Sequence, residues 1–177
     1  MTRTTTTNTC YIPKKPYLKE DLTSSCAILD VGYNTGGFLK LALQYEYKPY
    51  GIEVNKYAIK QSPWIQNISW DEVGDIDFKL VSFFDSLEHM RNLEVLRSMR
   101  TAFILVSFPD VGDRDIEALK TWKHYRPNEH LFYFNRYTLK GLMNNIGYDL
   151  IVYENVEGPI REDITTGIFK KGRENGK

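Results

Sequence analysis

The chain contains 177 residues, of which 42% are hydrophobic and 14% are aromatic, so it is long enough for one domain with a buried core and too short for two. Its 23 Lys and Arg residues balance its 23 Asp and Glu residues, which leaves no overall positive field to favour a nucleic-acid partner. No apolar run approaches the roughly 18 residues that a membrane span needs, so we expect a soluble protein without a membrane partner.

Both ends of the chain are polar and low in complexity, with threonine dominating the N-terminus and charged residues the C-terminus. We therefore expect one domain over residues 1–177, with disordered tails at residues 1–10 and 171–177. The two cysteines, Cys10 and Cys26, have no metal or redox spacing, and no secretory segment is visible. These features favour a cytoplasmic location.

From residue 27 onward, strand-like and helix-like segments alternate. Short runs of apolar residues predict seven strands, over residues 27–31, 48–54, 65–70, 78–84, 102–108, 148–153 and 164–169. Helical spacing of apolar residues predicts helices in the connections, after Gly32, after Tyr57, over residues 87–99 and after Asn135. The remaining long connection, residues 110–134, is rich in aromatic residues, and loops of this length usually carry function.

This alternation is typical of an α/β, Rossmann-like fold. It predicts a mainly parallel sheet of six or seven strands, with helices on both faces and an antiparallel last strand. Sheets of this kind bind ligands just beyond the carboxyl ends of their strands, so the functional residues should lie there.

A glycine-rich turn follows the first predicted strand, where residues 30–38 read Asp-Val-Gly-Tyr-Asn-Thr-Gly-Gly-Phe. Glycine at such a turn allows the backbone to approach a ligand closely. Asn34 lies between Gly32 and Gly36, and asparagine is among the residues that best tolerate a positive φ angle. Glu53 ends the second predicted strand about 20 residues later, where a carboxylate accepts hydrogen bonds from both hydroxyls of a ribose.

The turn resembles the (Asp/Glu)-x-Gly-x-Gly-x-Gly motif of class I S-adenosylmethionine-dependent methyltransferases, with Asn34 at the middle glycine. Asp30 precedes the glycines, which distinguishes the turn from the dinucleotide fingerprint of a nicotinamide-dependent oxidoreductase. The resemblance implies that S-adenosylmethionine is the cofactor. It assigns the cofactor site to eleven residues: Asp30, Gly32, Tyr33, Asn34, Gly36, Phe38, Glu53, Val54, Asp71, Phe84 and Asp85.

The segment Phe84-Asp85-Ser86-Leu87-Glu88-His89 is similar to the acidic segment after strand four of small-molecule methyltransferases, including the O-methyltransferases of ubiquinone biosynthesis. In that family the segment faces the substrate, and its carboxylates and histidine are thought to hold a divalent metal. We expect structural roles here instead, with the Glu88 carboxylate capping or paired and the His89 ring hydrogen-bonded under the site, and we assign no metal.

The stretch from Trp122 to Asn135 is similar to the segment that precedes the last crossover helix in many class I methyltransferases. His130 and His89 are the candidate catalytic residues, because imidazole titrates near neutrality and methyl transfer to a hydroxyl or amine requires removal of a proton. His130 is equally consistent with a hydrogen-bonded residue that anchors the loop. The aromatic residues of this loop, with Tyr11 and Tyr17, are candidates for a substrate wall, although we expect Phe132 and Phe134 in the core.

We therefore predict a methyltransferase that modifies oxygen or nitrogen of a small-molecule acceptor. Enzymes that methylate nucleic-acid bases are disfavoured, since residues 82–85 lack the Asp/Asn-Pro-Pro motif and no cysteine nucleophile lies near them. The alternative is a non-catalytic binding or scaffold protein with the same fold. The features that favour it are Asn34, the weakly patterned residues 56–77, where Asp71 or Asp75 would have to contact adenine, and the absence of a predicted N-terminal lid helix.

Overall fold

The structure is a computed structural model that describes residues 27–156 and 160–172. Expectations for Cys10, Cys26, Tyr11 and Tyr17 lie outside these ranges, as do residues 1–10 and the last five residues of the chain.

One sheet of seven strands forms the centre of the described part of the chain, in the order β3-β2-β1-β4-β5-β7-β6. The strands are β1 (Ala27–Val31), β2 (Lys48–Ile52), β3 (Gln66–Asn67), β4 (Asp77–Phe84), β5 (Arg100–Pro109), β6 (Tyr148–Glu154) and β7 (Ile164–Lys171). Strands β1 to β5 pair in parallel, whereas β7 is antiparallel to both β5 and β6. The predicted fold is confirmed, although β7 extends to Lys171 and so into the segment expected to be a tail.

Five α-helices lie in the connections that the structure describes: α1 (Gly37–Gln44), α2 (Lys56–Gln61), α3 (Trp70–Val73), α4 (Ile116–Lys120) and α5 (Arg136–Asn145). Helix α5 begins as the sequence indicates, because the Asn135 side chain accepts hydrogen bonds from the backbone N–H groups of Tyr137 and Thr138. Gly147 follows the helix with a φ angle of 85°, which suits a left-handed helix end.

The predicted helix over residues 87–99 is wrong. The chain forms two short 3-10 helices there, Leu87–His89 and Glu94–Ser98. The backbone carbonyl of Glu88 accepts hydrogen bonds from the N–H groups of Leu131 and Phe132, at 2.8 and 3.2 Å. That carbonyl is therefore already engaged by the later loop and does not start an α-helical ladder.

The sheet buries apolar side chains on both faces, because successive residues of a strand point to opposite sides. Leu29 belongs to the larger core cluster, whereas its neighbour Ile28 belongs to a smaller cluster beneath α1. Phe134 is buried in the larger cluster and Phe132 packs against it, as predicted. The carboxyl ends of the parallel strands lead into the turns that carry the candidate site.

Candidate functional site

The turn after β1 has the backbone conformation that its sequence predicts. Gly32 has a φ angle of 75°, and a Cβ atom at this position would lie 2.8 Å from the Cβ atom of Ser86. Asn34 has a φ angle of 48°, so an asparagine adopts the left-handed conformation expected of the middle glycine. The backbone N–H of Asn34 donates to Oε2 of Glu53 at 2.9 Å. The first turn is therefore tied directly to the acidic residue that follows β2.

Glu53 is held in one orientation by the surrounding backbone. Its Oε1 atom accepts hydrogen bonds from the N–H groups of Val54 and Asn55, both at 2.8 Å, in addition to the bond from Asn34 to Oε2. Because a carboxylate offers about four acceptor positions, capacity remains for a ligand hydroxyl. The Glu53 N–H donates to Oδ1 of Asn67, at the end of β3. Sequence reasoning missed Asn67, since a lone asparagine after a two-residue strand gives no distinctive signal.

Gly36 and Tyr33 are both assigned to the cofactor, but other protein atoms pack closely around the Cβ position of Gly36 and around the Tyr33 ring. A Cβ atom on Gly36 would collide with the side chain of Ile65, and the Tyr33 ring lies so close to Gly51 that a Cβ atom there would overlap it. Tyr33 is 4% exposed and belongs to the cluster beneath α1. A cofactor contact by Gly36 or by the Tyr33 side chain stays a prediction. Packing explains the glycine at position 51, and packing together with a φ angle of 75° explains the glycine at position 36.

Other predicted cofactor residues surround the turn. Val54 follows Glu53 and is 90% exposed, which is high for an apolar residue. The rings of Phe38 and Phe84 lie 5.1 Å apart, which brings the start of α1 against the end of β4. Asp71 is exposed in the first turn of α3, and its role as an adenine contact stays a prediction.

Asp30 is a buried carboxyl group, 3% exposed, between β1 and β4. Its Oδ1 atom accepts a hydrogen bond of 2.8 Å from the hydroxyl of Ser82. Burial raises the pKa of Asp30 to about 7, the Ser82 bond partly opposes this rise, and the charge of Glu53 adds to it. The group is thus near half-ionisation at neutral pH, and a cationic ligand close to it would favour the charged form.

Asp85 follows β4 and has a φ angle of 47°, which is unusual for a residue other than glycine. Its Oδ2 atom forms an ion pair of 2.6 Å with Arg161, whereas its Oδ1 atom is buried without a hydrogen-bond partner among the described residues. Arg161 comes from the connection between β6 and β7, and nothing in its sequence context indicated that it reaches the end of β4. Asp85 and Arg161 thus join two sides of the site.

Glu88 is 2% exposed, and neither oxygen of its carboxyl group has a hydrogen-bond partner on another residue in the part of the chain that the structure describes. The expected capping or pairing with another residue is therefore wrong. Burial raises the pKa of Glu88 to about 7, and a hydrogen bond from its own backbone N–H opposes this rise; among nearby charges, Asp85 raises the pKa and Arg161 lowers it. An unpaired buried carboxyl destabilises the fold, so its presence suggests a functional reason.

His89 and His130 lie beside Glu88, with ring centroids 4.8 Å apart. Nδ1 of His89 lies 2.8 Å from the backbone oxygen of Glu129, so in the neutral ring Nδ1 is the donor and Nε2 the acceptor. His130 is 7% exposed. Burial lowers the pKa of His130, and the charge of the neighbouring His89 lowers it further. Glu88, His89 and His130 each bring one ligand atom to within 4.8 Å of the others, a set that could hold a divalent metal.

The aromatic loop after β5 is partly anchored away from the site. Nε1 of Trp122 donates to the Asp163 carboxylate at 2.7 Å, and the guanidinium of Arg114 lies over the Trp122 ring at 4.7 Å. Trp122 therefore fastens the loop to the β6–β7 connection. Tyr133 is half-buried, and its ring centroid lies 5.9 Å from that of His130. The ring centroids of Tyr125 and Tyr133 lie 5.7 Å apart. These two tyrosines remain the candidates for a substrate wall.

The sequence over residues 11–153 matches the profile of a protein family described as a methyltransferase domain. The chain belongs to this family. S-adenosylmethionine is accordingly its cofactor. No curated protein sequence gives a significant match. No helix among the described residues is long and apolar enough to cross a membrane.

Solved structures of methyltransferases have a similar fold. One S-adenosylmethionine-dependent methyltransferase, from Archaeoglobus fulgidus, superposes with a TM-score of 0.59 at 16% identity, over 82% of this chain and 86% of that chain. The magnesium protoporphyrin IX methyltransferase of Synechocystis, solved with bound SAH, superposes with a TM-score of 0.61 at 11% identity, over 82% of this chain and 74% of that chain. A further S-adenosylmethionine-dependent methyltransferase, from Aquifex aeolicus, superposes with a TM-score of 0.57 at 12% identity, over 81% of this chain and 80% of that chain.

Proposed function

We propose that this single-domain protein transfers the methyl group of S-adenosylmethionine to an oxygen or nitrogen atom of a small-molecule acceptor. The observation that carries the proposal is the nearness of two preformed sites. The cofactor turn around Gly32 and Glu53 lies at the ends of β1 and β2. Glu88 and His89, which form the cluster with His130, follow the adjacent β4. Gly32 packs against Ser86, only two residues before Glu88, which links the two sites.

The cofactor fits the chemistry of the first site. Glu53 retains acceptor capacity for a ribose hydroxyl, and the exposed Val54 side chain beside it offers an apolar surface for adenine. We assign the methionine part of the cofactor to the backbone at Gly32, where the nearby Asp30 carboxylate would stabilise its positive charge. Phe38 and Phe84 would shield the reacting end from water.

Methyl transfer is a displacement at carbon, so the protein acts mainly by placing the acceptor in line with the cofactor and by excluding water. The lowered pKa of His130 keeps its ring neutral near pH 7, which leaves a nitrogen able to accept a proton from the acceptor. His89 is fixed by the backbone oxygen of Glu129 and also retains one accepting nitrogen. Either histidine would act as the base. A divalent metal bound by the cluster would occupy these nitrogens, so it would supply Lewis-acid stabilisation of an acceptor oxygen in place of base catalysis.

A non-catalytic role is disfavoured by two of the features that first suggested it. Asn34 adopts the backbone conformation of the glycine it replaces, and residues 56–77 form two helices and the strand β3, which supports Glu53 through Asn67. A scaffold protein would also have no need for the unpaired buried Glu88 carboxyl.

The proposal is tested by incubating the protein with S-adenosylmethionine tritiated on its methyl group and a cell extract from which small molecules have not been removed, followed by ultrafiltration and chromatographic removal of the unreacted cofactor from the filtrate. We expect labelled small molecules other than S-adenosylmethionine in the filtrate, with loss of that signal in His130→Asn and Glu53→Ala. The control Glu94→Gln changes an exposed carboxylate that pairs with Arg97 in the turn before β5, and should retain the signal. Label confined to protein or nucleic acid would contradict a small-molecule acceptor.

A further inference from the structure

Residues 126–130 form a closed turn that ends at His130, and we call it the histidine turn. The Arg126 carbonyl accepts hydrogen bonds from the N–H groups of Glu129 and His130, at 2.9 and 2.7 Å. Pro127 follows Arg126, and its ring fixes the φ angle at the second position of the turn. The turn therefore has a defined internal geometry, and one candidate base is part of it.

The same turn orients the second candidate base. The backbone oxygen of Glu129 lies 2.8 Å from Nδ1 of His89, which belongs to the connection after β4. The orientation of the His89 ring thus depends on a peptide group of the histidine turn. A displacement of this turn would move His130 directly and would move His89 through the hydrogen bond to Glu129.

Burial does little to hold the histidine turn in place. Residues 126–129 are all exposed, whereas His130 is buried. The side chains of Arg126 and Glu129 form an ion pair, but they are 58% and 61% exposed, and exposed ion pairs contribute little to stability. Exposed segments with few apolar contacts open easily. Hydrogen bonds to residues outside the turn must therefore fix its position.

Tyr133 provides such a hydrogen bond. Its hydroxyl accepts the backbone N–H of Arg126 at 3.0 Å, where the turn begins. Its ring lies against the ring of His130, where the turn ends. Tyr133 itself is half-buried and precedes Phe134, which is buried in the larger core cluster. One side chain thus connects both ends of the histidine turn to the core of the domain.

From these contacts we propose that Tyr133 is a positioning residue for methyl transfer, which holds His89 and His130 in place through the histidine turn. The inference rests on the proposed function and adds to it a residue that does not itself remove the proton. Without the hydroxyl, the Arg126 N–H loses its acceptor and the turn can shift. Because a base must lie within hydrogen-bond reach of the proton it removes, a shift of about 1 Å is enough to slow transfer.

The test removes only the hydroxyl, in Tyr133→Phe, and uses Tyr137→Phe as the matched control, since Tyr137 is 77% exposed. The chain contains three histidines, so their ring resonances can be assigned in NMR spectra by single substitutions. In Tyr133→Phe we expect the resonances of His89 and His130 to move. Transfer of the tritiated methyl group should fall at least about tenfold, while S-adenosylhomocysteine affinity stays within about twofold of the wild type.

The control Tyr137→Phe should match the wild type in all three measurements. The His89 resonance is the more informative of the two, because the ring of His130 lies against the altered residue itself.

Transfer at the wild-type rate by folded Tyr133→Phe would overturn the inference. Slower transfer with unmoved resonances of His89 and His130 would also overturn it, because Tyr133 would then act on the acceptor directly. A large loss of S-adenosylhomocysteine affinity would have the same consequence, since the residue would then act on the cofactor. If the wild-type chain transfers no label, the proposed function fails, and unmoved histidine resonances in Tyr133→Phe would then separately refute the positioning role.

Discussion

Replacing Asp30 with asparagine should reduce the pH dependence of the free energy of unfolding. In the folded protein the pKa of Asp30 is raised from 3.8 to about 7, mainly by burial. Below about pH 4 both states hold the proton, but between about pH 4 and pH 7 only the folded state keeps it. The unfolded state therefore gains an advantage as the pH rises, and stability that is present at low pH is lost through pH 7.

The size of this effect follows from the pKa. Each pKa unit corresponds to about 1.4 kcal/mol, so Asp30 contributes a loss of about 3 kcal/mol between pH 5 and pH 8. The pKa of Glu88 is raised to a similar value by burial, so it contributes in the same direction. The wild-type protein should thus lose stability over this range, and Asp30→Asn should remove about half of that loss. The asparagine oxygen still accepts the hydrogen bond from Ser82.

Urea denaturation followed by circular dichroism at about pH 5 and pH 8 measures the effect. Glu94→Gln is the control, because the Glu94 side chain is 75% exposed and should leave the pH profile unchanged. If the free energy of unfolding of Asp30→Asn changed between about pH 5 and pH 8 as much as that of the wild type, the claim that burial raises the pKa of Asp30 would be refuted.

Three further predictions concern the turn and the loop. By urea denaturation, Gly36→Ala should lose about 2 kcal/mol of stability through collision and a φ angle of 75°, whereas Gly37→Ala, with open space around its Cβ position, should change it by less than about 1 kcal/mol. Asn34→Gly should keep S-adenosylhomocysteine affinity in calorimetry, whereas Asn34→Val should weaken it, because a β-branched residue is strained at a φ angle of 48°. Trp122→Phe loses the indole donor to the β6–β7 connection and should lower stability by about 1–2 kcal/mol, against at most about 1 kcal/mol for the exposed ion pair lost in Lys123→Ala. Equal losses of stability in Gly36→Ala and Gly37→Ala would contradict the role given to Gly36. Wild-type affinity of Asn34→Val for S-adenosylhomocysteine would contradict the role given to Asn34, and unchanged stability of Trp122→Phe would contradict the role given to Trp122.

The parts of the fold that the sequence predicts are those with local signals. Apolar runs located six of the seven described strands, whereas β3 is the polar pair Gln66–Asn67 inside the weakly patterned stretch; Asn135 with Gly147 located the start and end of α5. The absent helix over residues 87–99 shows the limit of such signals. Its apolar spacing was genuine, but the carbonyl of Glu88 binds Leu131 and Phe132, and no local pattern indicates a contact with residues so far along the chain.

The candidate site divides in the same way. The cofactor turn was predictable because the φ angles at Gly32 and Asn34 depend on the residue type at each position. The Asp85–Arg161 ion pair was not, since it depends on how the β6–β7 connection folds back over β4. Likewise, Glu88 and His89 were visible as a motif, whereas their closeness to His130 required the three-dimensional structure.

Calorimetric titration of S-adenosylhomocysteine into the wild-type chain, Glu53→Gln and Glu94→Gln tests the central claim most directly. The account predicts saturable one-to-one binding to the wild type and the control. Glu53→Gln should bind at least about tenfold more weakly, because the amide has one oxygen fewer to share among the three backbone donors and the ribose hydroxyls. No binding by a folded wild-type chain, or equal binding by all three proteins, would contradict a cofactor site at this turn.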